Sequence, residues 1–538
     1  MSAVTRVLVV GGGSAGFLAA ITLKARIPQL NVRVIRSKDI GIIGVGEGST
    51  GQLPRHLHGY LGIDLSEFFR LADPIWKLGI RFLWGRRPFF HYTFAPQFDA
   101  GYPTLRKNAA YYFGDGELGY TGGGAALMTL GKVFHRRRDN TPVLADTVAY
   151  HLENEKFVTF LEGYAARLGV EIADETIVDV AQDEAGVSSL RFASGATAAA
   201  DLYIDCSGFR SLLLSKTLKE PFVSFAPSLF CDRAVVGGWQ REGEPTLPFT
   251  TAETMDAGWC WQIEHEHRIN RGYVYSGAFL SDDAAEAEFR SKNPKVGPSR
   301  IVKFVSGRYE RSWVKNVIAI GNASGFVEPL ESTSLALICQ ESVWLAEMLV
   351  DTDRHVRPSV VSLFNRRVAK SWDIIRQFLA LHYKFNDRLD TPFWRECREK
   401  SDLCGAAEIV QFYRENGPST LHFRQLLDAG DPFQFEGYWS MLVGQRVPHD
   451  APHAASPAEQ AAWRQFQQQH LAAARAGYGV PEALALVRSP QWQWPGALYP
   501  RLCNPAPPAA NSVATPTPAL AAAVPSITPG PQWQPARG

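Results

Sequence analysis

The sequence predicts an α/β fold: a Rossmann-like, doubly wound parallel sheet with an inserted antiparallel sheet and a mostly helical C-terminal region. Three observations predict it. An apolar strand at Val7–Val10 runs into the glycine turn Gly11–Gly12–Gly13–Ser14–Ala15–Gly16 and then into a helix that begins near Ala15. A second apolar strand follows at Val32–Ile35. From Glu341 to His382 the pattern is helical, with Trp344, Leu345, Met348 and Leu349 at helix spacing.

The elements between follow in order. Residues 51–150 mix aromatic clusters with Gly/Pro punctuation (Pro88, Pro96, Gly122–Gly124) and read as a substrate-facing insertion. A helix over Glu155–Leu168 leads to a strand near Val170–Ile172, and the sheet resumes at Leu202–Asp205, ending in Cys206–Ser207–Gly208. Antiparallel strands fit Ala234–Trp239, Trp259–Ile263 and Tyr273–Phe279, inside a second insertion at about 220–300. The domain reading is a discontinuous core over 1–400, a helical substrate-side region over 401–503, and a tail over 504–538. That tail is Pro/Ala-rich (Pro505, Pro507, Pro508, Pro516, Pro518, Pro525, Pro529) and predicts disorder, because it cannot bury enough apolar surface to fold.

Bulk properties exclude several classes. The 538 residues carry a formal net charge of +1, so no polyanion partner is implied, and the basic run Arg136–Arg137–Arg138 reads as a solvated loop. Seven scattered cysteines without CxxC spacing argue for a reducing compartment. No signal-peptide pattern opens the chain and no apolar run spans a bilayer, so the expectation is a cytoplasmic protein that neither crosses a membrane nor binds nucleic acid.

The glycine turn has a direct physical reading. Gly11 permits the tight turn, Gly13 lets backbone approach a pyrophosphate, and Gly16 allows close helix–strand contact, while the helix N-terminus offers N–H donors. At the end of the second strand, where a dinucleotide site usually has an acidic ribose contact, Arg36–Ser37 stand instead, which argues against NAD. The next loop, Asp39 to Thr50, has Gly44, Gly46 and Gly48 close together, so its backbone can wrap a flat or extended ligand. Downstream, the apolar strand Val317–Ile320 and the turn Gly321–Gly325 lead into Glu328–Pro329–Leu330–Glu331–Ser332–Thr333–Ser334. In a flavoprotein that geometry lays backbone N–H groups and one carboxylate against an isoalloxazine ring. Trp259 and Trp261 are spaced i, i+2 and share one strand face. His265 and His267 also share a face, but no third ligand is evident, so no metal is expected.

These segments resemble the flavin-dependent halogenases, the group that includes the tryptophan halogenases, and the resemblance extends through most of residues 5–400. Gly44–Val45–Gly46–Glu47 matches the GVGE-type strap over FAD. Trp259–Cys260–Trp261–Gln262–Ile263 matches the WxWxIP signature, with Glu264 where proline is expected. Asp205–Cys206–Ser207–Gly208–Phe209–Arg210, Ile318 through Thr333, and Asp390–Thr391–Pro392–Phe393–Trp394 match further family segments. The implied fold is the FAD-binding domain of the flavin monooxygenase type. The implied FAD contacts are Gly11, Gly13, Ser14, Ala15, Gly16, Ser37, Ile40, Val45, Gly46, Glu47, Ile177, Gly321 and Leu335.

The resemblance also implies roles. Lys77 occupies the position of the family's catalytic lysine, which holds hypohalous acid or forms a haloamine. Burial beside Trp76, Phe82 and Trp84 would depress its pKa. Glu331 matches the glutamate that aligns the oxidant or accepts the ring proton. Glu328 is the competing carboxylate. Glu331 also fits a helix-start turn capped by Ser332 or Thr333. Halide falls to the backbone of Thr333 and Ser334, a serine where the family usually has glycine. Trp259 and Trp261 screen the organic substrate from the flavin. Tyr92 and Phe94, in Phe90–His91–Tyr92–Thr93–Phe94, face a flat aromatic substrate, and Tyr438 and Trp439 close the pocket.

The implied activity is FAD-dependent halogenation of an indole or indole-containing molecule, using O2, chloride or bromide, and reduced flavin from a separate NAD(P)H-dependent reductase. The substrate is free or tethered to a carrier, and dimers are common in the family. Two alternatives stay open: a single-component FAD aromatic monooxygenase, and a non-catalytic flavoprotein partner.

Overall fold

In the computed structural model the described residues are 3–41, 46–98, 105–113, 118–419, 425–496 and 498–502. The six-stranded sheet has the order Trp313–Val314, Val317–Ala319, Leu202–Asp205, Arg6–Val10, Asn31–Arg36, Glu171–Asp174. All neighbours are parallel except the Trp313–Val314 edge. Val10, Asp205 and Ala319 lie in register at the C-terminal ends of three adjacent strands. Connections leave in opposite directions there, which opens the crevice where such sheets bind ligands. The helix Ser14–Arg26 is buried along Phe17, Leu18, Ile21 and Leu23, between the sheet and the helices Asn154–Arg167 and Ser334–Asp351.

A seven-stranded sheet forms the second layer, in the order Arg300–Lys303, Arg233–Gln240, Arg268–Tyr275, Gly258–Glu264, Thr250–Met255, Gly79–Leu83, Phe90–Thr93. It is antiparallel except where Thr250–Met255 meets Gly79–Leu83. A small sheet, Glu47–Gly48, Ala149–Leu152, Ile75–Lys77, links the two layers. The strand expected over Tyr273–Phe279 ends at Tyr275, because Ser276 turns the chain by donating its N–H to Ala257 and accepting from Leu280.

The helical stretch expected from Glu341 to His382 is two helices, Ser334–Asp351 and Pro358–Phe385. Asp353 and Arg354 take positive φ between them, and Arg357 is extended, as a residue before proline prefers. Thr391 caps Pro392–Lys400 by accepting the Trp394 N–H. The helices Ala406–Asn416 and Gln434–Gly444 pack on Pro358–Phe385, within the same unit, Met1–Ala506. The tail expected over 504–538 lies outside the described residues. Among the described residues no helix is long and apolar enough to cross a membrane.

Candidate active site

A cavity of about 730 Å³ lies at the crevice of the parallel sheet. Gly11, Gly13, Ser14, Ala15, Ser37, Ile40, Gly46, Glu47 and Ile177 all line it. Gly13 is extended and its side-chain direction is open space, so the first N–H groups of the helix face the cavity without a side-chain cap. Gly16 serves the wall from behind, since a Cβ there would lie 1.9 Å from the Gly11 carbonyl oxygen. Gly321 and Leu335 also stand behind the lining, which is made by their neighbours Ile320, Asn322, Ser334 and Ile338. Val45 lies outside the described residues. The acidic groups that seemed missing come from elsewhere: Glu162 and Glu175 line this cavity, and Arg36 holds Glu162 at 2.7 Å. No sequence spacing marks them, because Glu162 arrives on the helix Asn154–Arg167 after a long insertion. A lining that combines a glycine cradle, a helix N-terminus and carboxylates with Trp261, Phe326 and Pro329 suits an extended dinucleotide with a flat ring, as FAD requires.

A second cavity of about 540 Å³ is lined by Tyr92, Phe94, Phe433 and Phe435 with Glu331 and Thr333. One turn divides the two spaces. Glu331 and Thr333 line the smaller cavity, while Ser332 and Ser334 line the larger. Ser332 sits in the left-handed region (φ 57°), which reverses the chain just before the helix Ser334–Asp351. The expected cap is not made: neither hydroxyl bonds the helix N-terminus, and Ser332 Oγ instead accepts from Lys77 Nζ at 2.7 Å. The unfilled N–H groups of an 18-residue helix therefore start at the divide, a position that favours an anion.

Lys77 ends a short strand and is fully buried. Its Nζ stands 5.3 Å from the centre of the Phe94 ring. Burial lowers its pKa to about 7, partly opposed by the Glu331 carboxylate. Glu331 is raised by burial, against the opposing pull of its bond to His382 and the charge of Lys77. Its Oε1 meets His382 Nε2 at 2.7 Å.

Glu328 belongs to a different structure. Its Oε2 accepts from Trp259 Nε1 at 2.7 Å and from the Tyr383 hydroxyl, deep in the core, and burial raises its pKa to about 7. Trp259 and Trp261 do share a face, with ring centres 6.0 Å apart, and Trp261 lines the larger cavity. Glu264 is buried and paired with Arg241 at 2.5 Å. His265 is also buried, within 3.1 Å of Asn270 Nδ2.

Alternation along Phe90–Thr93 explains which aromatics reach the smaller cavity. Tyr92 and Phe94 meet edge to face at 6.0 Å, while His91 turns away to accept from Arg81. Trp439, expected at the pocket mouth, is instead fully buried 5.4 Å from Tyr413 and lines neither cavity. The wall on that side is made by Phe433 and Phe435, because the helix Gln434–Gly444 turns the Trp439 face toward the core. Tyr438 donates to Asp431, also away from the cavity.

The family model described as "Tryptophan halogenase" matches residues 6–461. Tryptophan 7-halogenase RebH of Lentzea aerocolonigenes is 30% identical over 486 residues, 84% of this chain and 91% of that protein. The crystal structure of MibH, a lathipeptide tryptophan 5-halogenase, shares 39% identity at a TM-score of 0.83, over 90% of this chain and 94% of the other. BrvH, a flavin-dependent halogenase from Brevundimonas sp. BAL3, shares 28% at 0.78, over 90% and 99%. With residues 6–461 matched and the two cavities meeting on either side of one turn, the chain belongs to the tryptophan halogenase family and is a flavin-dependent halogenase.

Proposed function

We propose that this enzyme halogenates the indole of a tryptophan held within a larger molecule, a peptide in the first instance. The 39% identity to a lathipeptide tryptophan halogenase, against 30% to RebH, supports the peptide over the free amino acid. The glycine turn, Ser37, Ile40, Gly46, Glu47 and Ile177 would hold FAD, which, reduced by a separate NAD(P)H-dependent reductase, would supply two of the four electrons that O2 takes up, the halide giving the other two. The backbone at Thr333 and Ser334 holds chloride or bromide beside the helix N-terminus.

Lys77 receives the oxidised halogen at the divide and presents it to an indole lying against Tyr92 and Phe94. Glu331 takes the proton that the ring loses. Trp259, fixed by Glu328, and Trp261 keep the indole on the far side of the wall. One observation carries this reading: the buried amine of Lys77 bonds Ser332 in the very turn that separates the cavities.

The test is turnover with a flavin reductase, NADH and either halide, against L-tryptophan, indole and tryptophan-containing peptides. Mass spectrometry reads the halogen from its isotope pattern. The peptide is expected to be the best substrate, and preference for L-tryptophan would overturn that part. Lys77→Ala is expected to stop halogenation while FAD binding and peroxide release persist. Product from that variant would remove Lys77 from the mechanism.

A further inference from the structure

His382 lies on the helix Pro358–Phe385 and is fully buried among Phe82, Trp84 and Phe378. Both ring nitrogens are engaged. Nδ1 is 2.9 Å from the Phe378 carbonyl oxygen, one helical turn back, and Nε2 is 2.7 Å from Glu331 Oε1. A carbonyl oxygen only accepts, so Nδ1 must carry a proton. Nε2 of that tautomer is then an acceptor unless the ring is an imidazolium. The contact with Oε1 therefore needs one proton, held either by the carboxyl or by the imidazole. The other oxygen, Glu331 Oε2, is buried and has no hydrogen-bond partner among the described residues, on a residue that lines the smaller cavity.

We infer that His382 is a positioning residue for the halogenation step, holding one shared proton on Glu331 Oε1 so that Oε2 is left free to take the proton lost by the ring. The inference rests on the proposed role of Glu331. When the halogenated ring carbon loses its proton, the C–H electron pair returns to the ring and the proton lands on Oε2. If the shared proton began on Oε1, it moves to Nε2 in the same event. From either start the products are a neutral carboxyl and an imidazolium, so the pair gains one positive charge and the aromatic product none. Without the imidazole, a carboxyl in so dry a site would keep its own proton and could not accept another. The other titratable groups facing the pair are Lys77 from its short strand, Tyr92 from the strand Phe90–Thr93, and Glu328 from the same turn.

Three measurements test this on the full chain. In ¹⁵N-histidine spectra of the purified protein, His382 is expected as the Nδ1–H form or the imidazolium; a neutral Nε2–H ring would overturn the inference whatever the enzyme's activity. His382→Phe fits the aromatic surroundings and is expected to bind FAD normally and release peroxide. Its halogenation should fall at least about tenfold, with a primary isotope effect from substrate deuterated at the reacting carbon. His382→Gln keeps a donor to Oε1 but cannot take up its proton, so it is expected to recover only part of that loss and to show a smaller isotope effect than the phenylalanine variant. Equal damage in both variants without an isotope effect would show that His382 only fills space. Absence of halogenation in the unaltered enzyme would instead strike the proposed function, leaving the ¹⁵N result standing.

Discussion

Lys77 Nζ and Ser332 Oγ are joined by a 2.7 Å hydrogen bond at the turn that separates the two cavities. The bond favours the charged amine, since a hydroxyl oxygen accepts from an ammonium, while burial favours the neutral one. Burial, partly opposed by the Glu331 carboxylate, sets the Lys77 pKa at about 7.

Ser332→Ala removes the acceptor and should lower that pKa further. A hydrogen bond to a charged group contributes about 1.5–3 kcal/mol, or roughly one to two pH units. The limb of the halogenation pH profile that belongs to Lys77 should therefore move to lower pH by about that much. The sign holds whether the amine works charged or neutral, because both limbs follow the same group. Product-forming kcat/KM against pH measures it, and an unmoved limb would mean that Lys77 does not titrate in the reaction.

Gly48 lines the larger cavity beside the same turn. A Cβ built there would lie 2.8 Å from Ser332 Oγ and 3.1 Å from Lys77 Nζ. Its backbone does not demand glycine, so the requirement is one of space beside the reactive amine. Gly48→Ala should leave FAD binding near normal and displace the amine. Halogenated product per NADH consumed should fall about tenfold or more, with peroxide rising in its place. Coupling, measured as product and peroxide together, separates this from simple loss of activity.

Glu328 gives a stability prediction. Its folded pKa, about 7, is raised from 4.5 by burial. Between those values the folded protein holds a proton that the unfolded chain has released. Stability therefore falls as pH rises from about 4.5 to about 7, by up to about 3 kcal/mol from this group. Glu328→Gln, uncharged throughout, should lose that slope. Denaturant unfolding at pH 5 and pH 8 should show the variant gaining relative to the parent at the higher pH. Its acceptor oxygen can still hold Trp259, so the indole should remain screened from hydroxylation.

Much of this was legible because local chemistry fixed it. The glycine turn, the strand ends and the turn at Glu328–Ser334 carry their signals within a few residues. What escaped the sequence is contact made over long separations. Glu162 and Glu175 reach the ligand cavity from beyond an insertion, and His382 meets Glu331 from a helix 51 residues later. Trp439 failed for a different reason: an aromatic on a helix can face cavity or core, and only packing chooses. Ser332 looked like a cap because serine before a helix usually is one, yet its left-handed backbone aims the hydroxyl at Lys77.

Glu264, in place of the family's proline, is explained by Arg241. The Arg241 side chain is 8% exposed and the Glu264 side chain 1%. Arg241 also donates to the carbonyls of Glu244, Pro245, His265 and Glu266, so only the carboxylate supplies its counter-charge among the described contacts. Removing one member of such a pair strands the other in a dry site, at a cost of about 3–5 kcal/mol. Glu264→Ala should lose about that much stability in denaturant unfolding, and Glu264→Gln, which keeps the acceptor, clearly less. A loss under about 1 kcal/mol in the alanine variant would mean that water reaches Arg241. Because Trp259 and Trp261 are held by the strand ladder and by Glu328 rather than by this pair, folded variant should still halogenate without hydroxylating.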